Sequence, residues 1–173
     1  MRYFFFIYSF FLSGQIFAQH GYPVPQKTAN HLFYIQHSEN KNTFVYDAIF
    51  ANQGVLNDSD PVDIYRILYA EEGQKKPLTL TQQKFAYGLK ISKIDKNIFQ
   101  LHLVSYPAQK LTLKLNSNKN PIVQTKLNNK TITLNRVFLK QKDGTSGLST
   151  KIEYMIFYGK DSNGKSVQEK LVL

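Results

Sequence analysis

Apolar side chains recur at every second position along most of the chain. From Lys110 to Leu115, Leu111, Leu113 and Leu115 alternate with Lys110, Thr112 and Lys114. That is the period of a strand with one dry face and one wet face. Strand patterns also run through His31 to His37, Thr43 to Phe50, Val62 to Tyr69, Phe99 to Leu103, Ile122 to Leu127, Thr131 to Gln141, Lys151 to Tyr158 and Ser166 to Leu173. Turn-forming clusters such as SENKN, EEGQKKP, SNKNP, KDGTSG and KDSNGK separate them. Asn128-Asn129-Lys130 is short enough for a hairpin. The segment from Thr131 to Gln141 changes parity, from Ile132 and Leu134 to Val137 and Leu139, which predicts a bulge near Asn135 and Arg136.

Residues 77 to 94, PLTLTQQKFAYGLKISKI, are the ambiguous stretch. Phe85, Tyr87, Leu89 and Ile91 recur at a period of two, and Gly88 disfavours a helix. The pattern predicts a strand, with at most a single turn near Thr81 to Gln83. Its other face would carry Lys84, Ala86, Gly88, Lys90 and Ser92, two tiny residues between lysines. Such a floor marks a bend or bulge in a curved sheet, or a surface on which a ligand lies. Altogether the pattern predicts an all-β fold, an antiparallel meander of about nine or ten strands. Short successive turns favour a barrel-like closure, with a β-sandwich as the alternative.

The first residues, MRYFFFIYSFFLSGQIFAQ, depart from this pattern. Arg2, an apolar run from Tyr3 to Leu12 and Ala18 form the charged, hydrophobic and cleavage regions of a signal peptide over residues 1–18. The apolar run is too short for a membrane span, so none is expected after cleavage. Residues 19–30, with two prolines and a glycine, form an extended leader that lies on the domain or hangs free. Residues 31–173 form a single β domain. The expected destination is the periplasm or the extracellular space.

The absence of cysteine excludes disulfides and thiolate chemistry. Net charge is +10, unevenly spread. Gln19 to Gln83 carries five basic and seven acidic residues, whereas Lys84 to Leu173 carries sixteen and five. Nineteen of the 22 basic residues are lysine, which lacks the bidentate fork used to read phosphates and bases. Nucleic acid is therefore disfavoured as a partner, and lysines on the outer strand faces serve solubility first. An anionic envelope component remains a candidate partner beside a small molecule or lipid.

The chemistry-bearing residues do not converge. No Gly-x-Ser-x-Gly or phosphate-cradling glycine motif is present. His31 and His37 sit at opposite ends of one strand, about 20 Å apart, too far to share a metal ion. His102 could meet one of them, giving two ligands at most, and no metal or cofactor is expected. Asp47 is unusual within a strand. If its face is buried it needs a partner, for which Arg66 or Arg136 is the natural choice.

Asn42-Thr43-Phe44-Val45-Tyr46-Asp47-Ala48, Pro61-Val62 leading to Tyr65, Tyr69-Ala70-Glu71-Glu72-Gly73, Leu78-Thr79, and Gln83 with Ala86-Tyr87-Gly88 form an ordered set of short motifs. In these the chain resembles domain-of-unknown-function family 4833, a family of secreted bacterial proteins, from about Leu32 onward. The resemblance implies a secreted, mostly β domain. It assigns no activity and no catalytic residue.

Taken together, these features predict an exported, non-enzymatic binding or envelope-associated module. Candidate binding residues are Asp47, Arg66, Lys84, Ala86, Tyr87, Gly88 and His102, and none is assigned a catalytic role. The alternatives are a hydrolase acting on envelope glycans or lipids, with Asp47, Glu71 or His102 in its site, and a purely structural envelope subunit.

Overall fold

The computed structural model describes residues 21–173. The expected signal peptide lies outside the described residues. In chain order the elements are β1 (His31–His37), β2 (Thr43–Ala48), β3 (Phe50–Asn52), β4 (Val55–Leu56), β5 (Val62–Leu68), β6 (Gln74–Pro77), α1 (Leu80–Phe85), β7 (Leu89–Asp95), β8 (Ile98–Leu103), β9 (Tyr106–Leu115), β10 (Pro121–Leu127), β11 (Lys130–Gln141), β12 (Ile152–Lys160) and β13 (Ser166–Val172). The fold is all-β, a single curled sheet of eleven strands that forms a half-barrel, with β3 and β4 as a separate small hairpin.

The long strand β11 organises the sheet. Thr133 pairs with Gln124 of β10 and with Lys160 of β12, so these strands flank opposite edges of β11. Further along, Arg136 to Leu139 still pair with β12 but meet β1 on the other side, where β10 has left. Two wings therefore diverge from one edge of β11. One runs β1-β2-β5-β6 and the other β10-β9-β8-β7. Neighbouring strands are antiparallel except β1 and β11, which run parallel. The bulge expected near Asn135 is present: the β11–β12 register slips between Leu134 and Arg136.

Inward-facing residues of both wings meet in one core. Phe33, Phe44 and Tyr46 from the first wing join Phe99, Leu101, Leu111, Leu113 and Val123 from the second. The Phe33 and Tyr46 rings stack with centroids 4.3 Å apart. A second, smaller cluster of Tyr34, Val45 and Tyr65 lies on the outer face of the first wing. The leader packs on the domain here. Pro23 accepts a hydrogen bond from Gln36 Nε2 at 2.8 Å, and Tyr22 meets Phe138 edge-on at 5.5 Å. This second layer explains why β1 and β2 are buried along nearly their whole length.

The stretch from 77 to 94 is a correction. It is not a strand through Phe85 and Tyr87 but β6, then helix α1, then β7. Thr79 caps the helix reciprocally with Gln82: the Thr79 side chain accepts from the Gln82 backbone amide, and the Gln82 side chain accepts from that of Thr79. This capping box sets the helix start more strongly than apolar periodicity sets a strand. Phe85, expected on the inward face, is 66 % exposed. Gly88 is neither a bulge nor a ligand floor. A Cβ there would overlap the carbonyl of Gln83, so glycine lets the chain leaving the helix fold back onto it.

Candidate functional site

α1 bridges the two wings, and the backbone that follows it is tied down at three successive carbonyls. Ala86 accepts from Ser105 Oγ at 2.6 Å, Tyr87 from the Tyr46 hydroxyl at 2.7 Å, and Gly88 from the Val104 amide at 3.0 Å. The three donors come from both wings, so this segment is fixed in place. It directs the Tyr87 ring onto Phe44, with centroids 3.4 Å apart and planes 12° from parallel. His37, at the end of β1, lies beside both rings, 6.0 Å from Phe44 and 6.3 Å from Tyr87.

These side chains line a cleft of about 380 Å³. One wall is α1 with Gln82, Phe85 and Ala86. Another is the β1–β2 turn with Glu39, Asn40 and Asn42, and a third holds Leu139, Gln141 and Ile152. Two lining residues are more than nine-tenths buried and polar: His37 and Gln141. Among the described residues, His37 Nδ1 has no hydrogen-bond partner, and the Gln141 backbone amide bonds Ser38 Oγ. Burial holds the His37 imidazole below its usual value, against an opposing pull from Glu39. Burial first, and then Glu39, raises the Tyr87 phenol.

His37 Nδ1 is sealed without a partner. A bare lone pair is easier to bury there than an N–H, so the neutral ring keeps its proton on Nε2. The cleft therefore presents an imidazole N–H donor and a primary amide, which both donates and accepts, over an aromatic stack. It suits holding a small polar ligand. Among the described residues that line it, no hydroxyl is hydrogen-bonded to His37, Ser105 donates to the Ala86 carbonyl instead, and Glu39 is the one carboxylate.

Of the residues expected to bind, Ala86 and Tyr87 line this cleft, whereas Lys84, on the same helix, does not. Gly88 borders a different surface recess with Asp60, Asp63 and Gln83. His102 donates from Nδ1 to the Pro107 carbonyl at 2.6 Å on the second wing. Asp47 is not paired with an arginine. Its carboxylate accepts from His31 Nδ1, the Tyr65 hydroxyl and the Thr28 hydroxyl, each at 3.1 Å. Burial alone would raise the Asp47 pKa, but these hydrogen bonds prevail and hold it below the usual carboxylate value. Arg136 instead covers the ring of Tyr158 at 4.6 Å, and Arg66 stands opposite Phe44 and Lys76 in the sheet.

The sequence pattern did not single out Asn40, Asn42, Gln82 or Gln141. Asn40 and Asn42 fall in an ordinary turn, and Gln141 ends a strand. The one available signal was Thr79-x-x-Gln82, which would have placed a helix against the β1 end.

The protein-family model described as Domain of unknown function (DUF4833) matches residues 33–170. Neither a curated protein nor a solved structure matches the chain.

Proposed function

The chain belongs to the DUF4833 family, and from that premise we propose that it is an exported, non-enzymatic domain that binds a small ligand in the cleft beside α1. The observation that carries this reading is His37, a buried polar ring on the cleft wall whose Nδ1 has no hydrogen-bond partner among the described residues, with the Gln141 amide beside it in the same cleft. Buried polar groups are almost always satisfied, and leaving one unsatisfied costs about 1–3 kcal/mol. A ligand or ordered water in the cleft would bond the Nε2–H that the neutral ring presents there and the Gln141 amide beside it. Export is supported by the leading segment, with Arg2, the apolar run from Tyr3 to Leu12 and Ala18. No helix among the described residues is long and apolar enough to cross a membrane.

The residues that a hydrolase would use are engaged elsewhere. Asp47 is held by three donors, Glu71 pairs with Lys76 at 2.7 Å, and His102 bonds a backbone carbonyl. Native mass spectrometry of protein purified from its own host's envelope tests the binding reading. The expected result is a retained small-molecule mass that disappears in a folded Gln141→Ala variant. A mass retained equally by the variant, or a wild-type protein that carries nothing and moves no cleft resonance in a fragment screen, would overturn it.

A further inference from the structure

We propose that the ligand of this cleft is a carbohydrate, an uncharged hydroxyl-rich ring that stacks on Phe85 and hydrogen-bonds to His37 and Gln141. This inference rests on the cleft being the binding site. The first argument is charge. The chain is net +10, yet none of the described residues lining the cleft is Lys or Arg. An anionic ligand would find no cation in this cleft and would meet Glu39 instead.

The second argument is the polar inventory. Asn40, Asn42, Gln82 and Gln141 bring amides, each with donor and acceptor atoms. Sugar hydroxyls also donate and accept, so amides satisfy them from either side. The Gln82 carbonyl oxygen is used by the helix cap, which leaves its NH₂ free to donate. A purely apolar chain would seal His37 and Gln141 without partners, at the cost that unsatisfied buried groups carry.

The third argument is aromatic geometry. Phe44 and Tyr87 stack on each other and cover each other's facing sides. They form no open cage of the kind that holds a quaternary ammonium. Phe85 remains as a single exposed ring on the cleft wall. One free aromatic face suits the C–H side of a sugar ring, whose positively polarised hydrogens meet the negative face of the ring.

The test uses isotope-labelled protein expressed from the full-length sequence, followed by amide and side-chain NMR. The probes are maltotriose, the trimer of N-acetylglucosamine, tetramethylammonium and a neutral tetrapeptide. The expected result is that a trisaccharide moves the His37 and Gln141 signals. Phe85→Ala should then weaken it about ten-fold with the spectrum otherwise intact. Phe85 is exposed, so this variant folds. If tetramethylammonium or the peptide moves those signals and neither sugar does, the carbohydrate assignment falls and the cleft stands as a binding site. If no probe moves them, both fall. Sugar binding that shifts only other surfaces also overturns the proposal.

Discussion

Two titratable side chains in this domain are placed where their charge state matters to the fold. Asp47 has its pKa lowered in the folded protein, so its contribution to stability is complete above the unfolded value, 3.8, and is lost as pH falls through the lower folded value. Urea unfolding between about pH 5 and pH 2 should show this loss, and Asp47→Asn should flatten the curve over that window. Equal slopes in the two proteins would mean that the hydrogen bonds from His31, Tyr65 and Thr28 do not favour the ionised form. His37 behaves differently because burial lowers a cationic group. Its contribution is complete above 6.5 and is lost as pH falls below that value. A His37→Gln variant should therefore lose less stability than the parent between about pH 7 and pH 5. The sequence placed Asp47 in a strand that needed a partner. It did not place His31 beside it, because that meeting depends on the β1–β2 register and on the bulge between His31 and Phe33.

The decisive element is α1. Its six residues are too few to hold as an isolated helix, so its existence depends on the cap and on the tied carbonyls that follow. Thr79→Ala should cost about 1 kcal/mol and speed amide exchange across Thr81 to Phe85, with little change in the sheet. Gly88→Ala should be worse, about 1–3 kcal/mol, because the added methyl overlaps the Gln83 backbone carbonyl rather than a side chain that can turn aside. A chemical denaturation series separates the two. If Gly88→Ala proved neutral, the close approach at the helix end would be the wrong account. The strand pattern over Phe85 to Ile91 was genuine for Leu89 and Ile91, which lie in β7 and pack against the core. It failed at Phe85 because two apolar residues at spacing two, Phe85 and Tyr87, do not outweigh the reciprocal cap between Thr79 and Gln82 just upstream.

Across the whole molecule, the half-barrel is completed by parts outside the sheet. The leader covers the outer face of the first wing, and α1 links the free ends of both wings. A chain that begins at Asn30 loses the Pro23 acceptor for Gln36 and the Thr28 donor to Asp47. Its stability should fall by about 1–3 kcal/mol, read as about 2–4 °C in Tm for each kcal/mol. An unchanged melting curve would mean that solvent serves Gln36 and Asp47 as well as the leader does. The basic half of the chain lies mostly on the second wing and on β11–β13, on exposed outward positions such as Lys110 and Lys126 and in turns such as that of Lys165. The cleft is set apart from it by composition.

By itself the sequence determined the all-β character, most strand positions, the hairpin at Asn128-Asn129 and the bulge at Asn135. Each is a local matter of side-chain period and turn chemistry, legible in a few consecutive residues. Both asparagines adopt the positive φ that a tight hairpin demands. Tertiary structure alone decided that β1 lies parallel to β11, that the leader forms a second layer, and that His37 and Gln141 share a recess with Tyr87. Those facts join residues from different elements, about a hundred positions apart for β1 with β11 and for His37 with Gln141, and nothing in the neighbourhood of either residue encodes the meeting. A polar residue at a strand end looks the same whether it faces open solvent or the wall of a cleft. Only the packing of the two wings and the helix between them distinguishes the two.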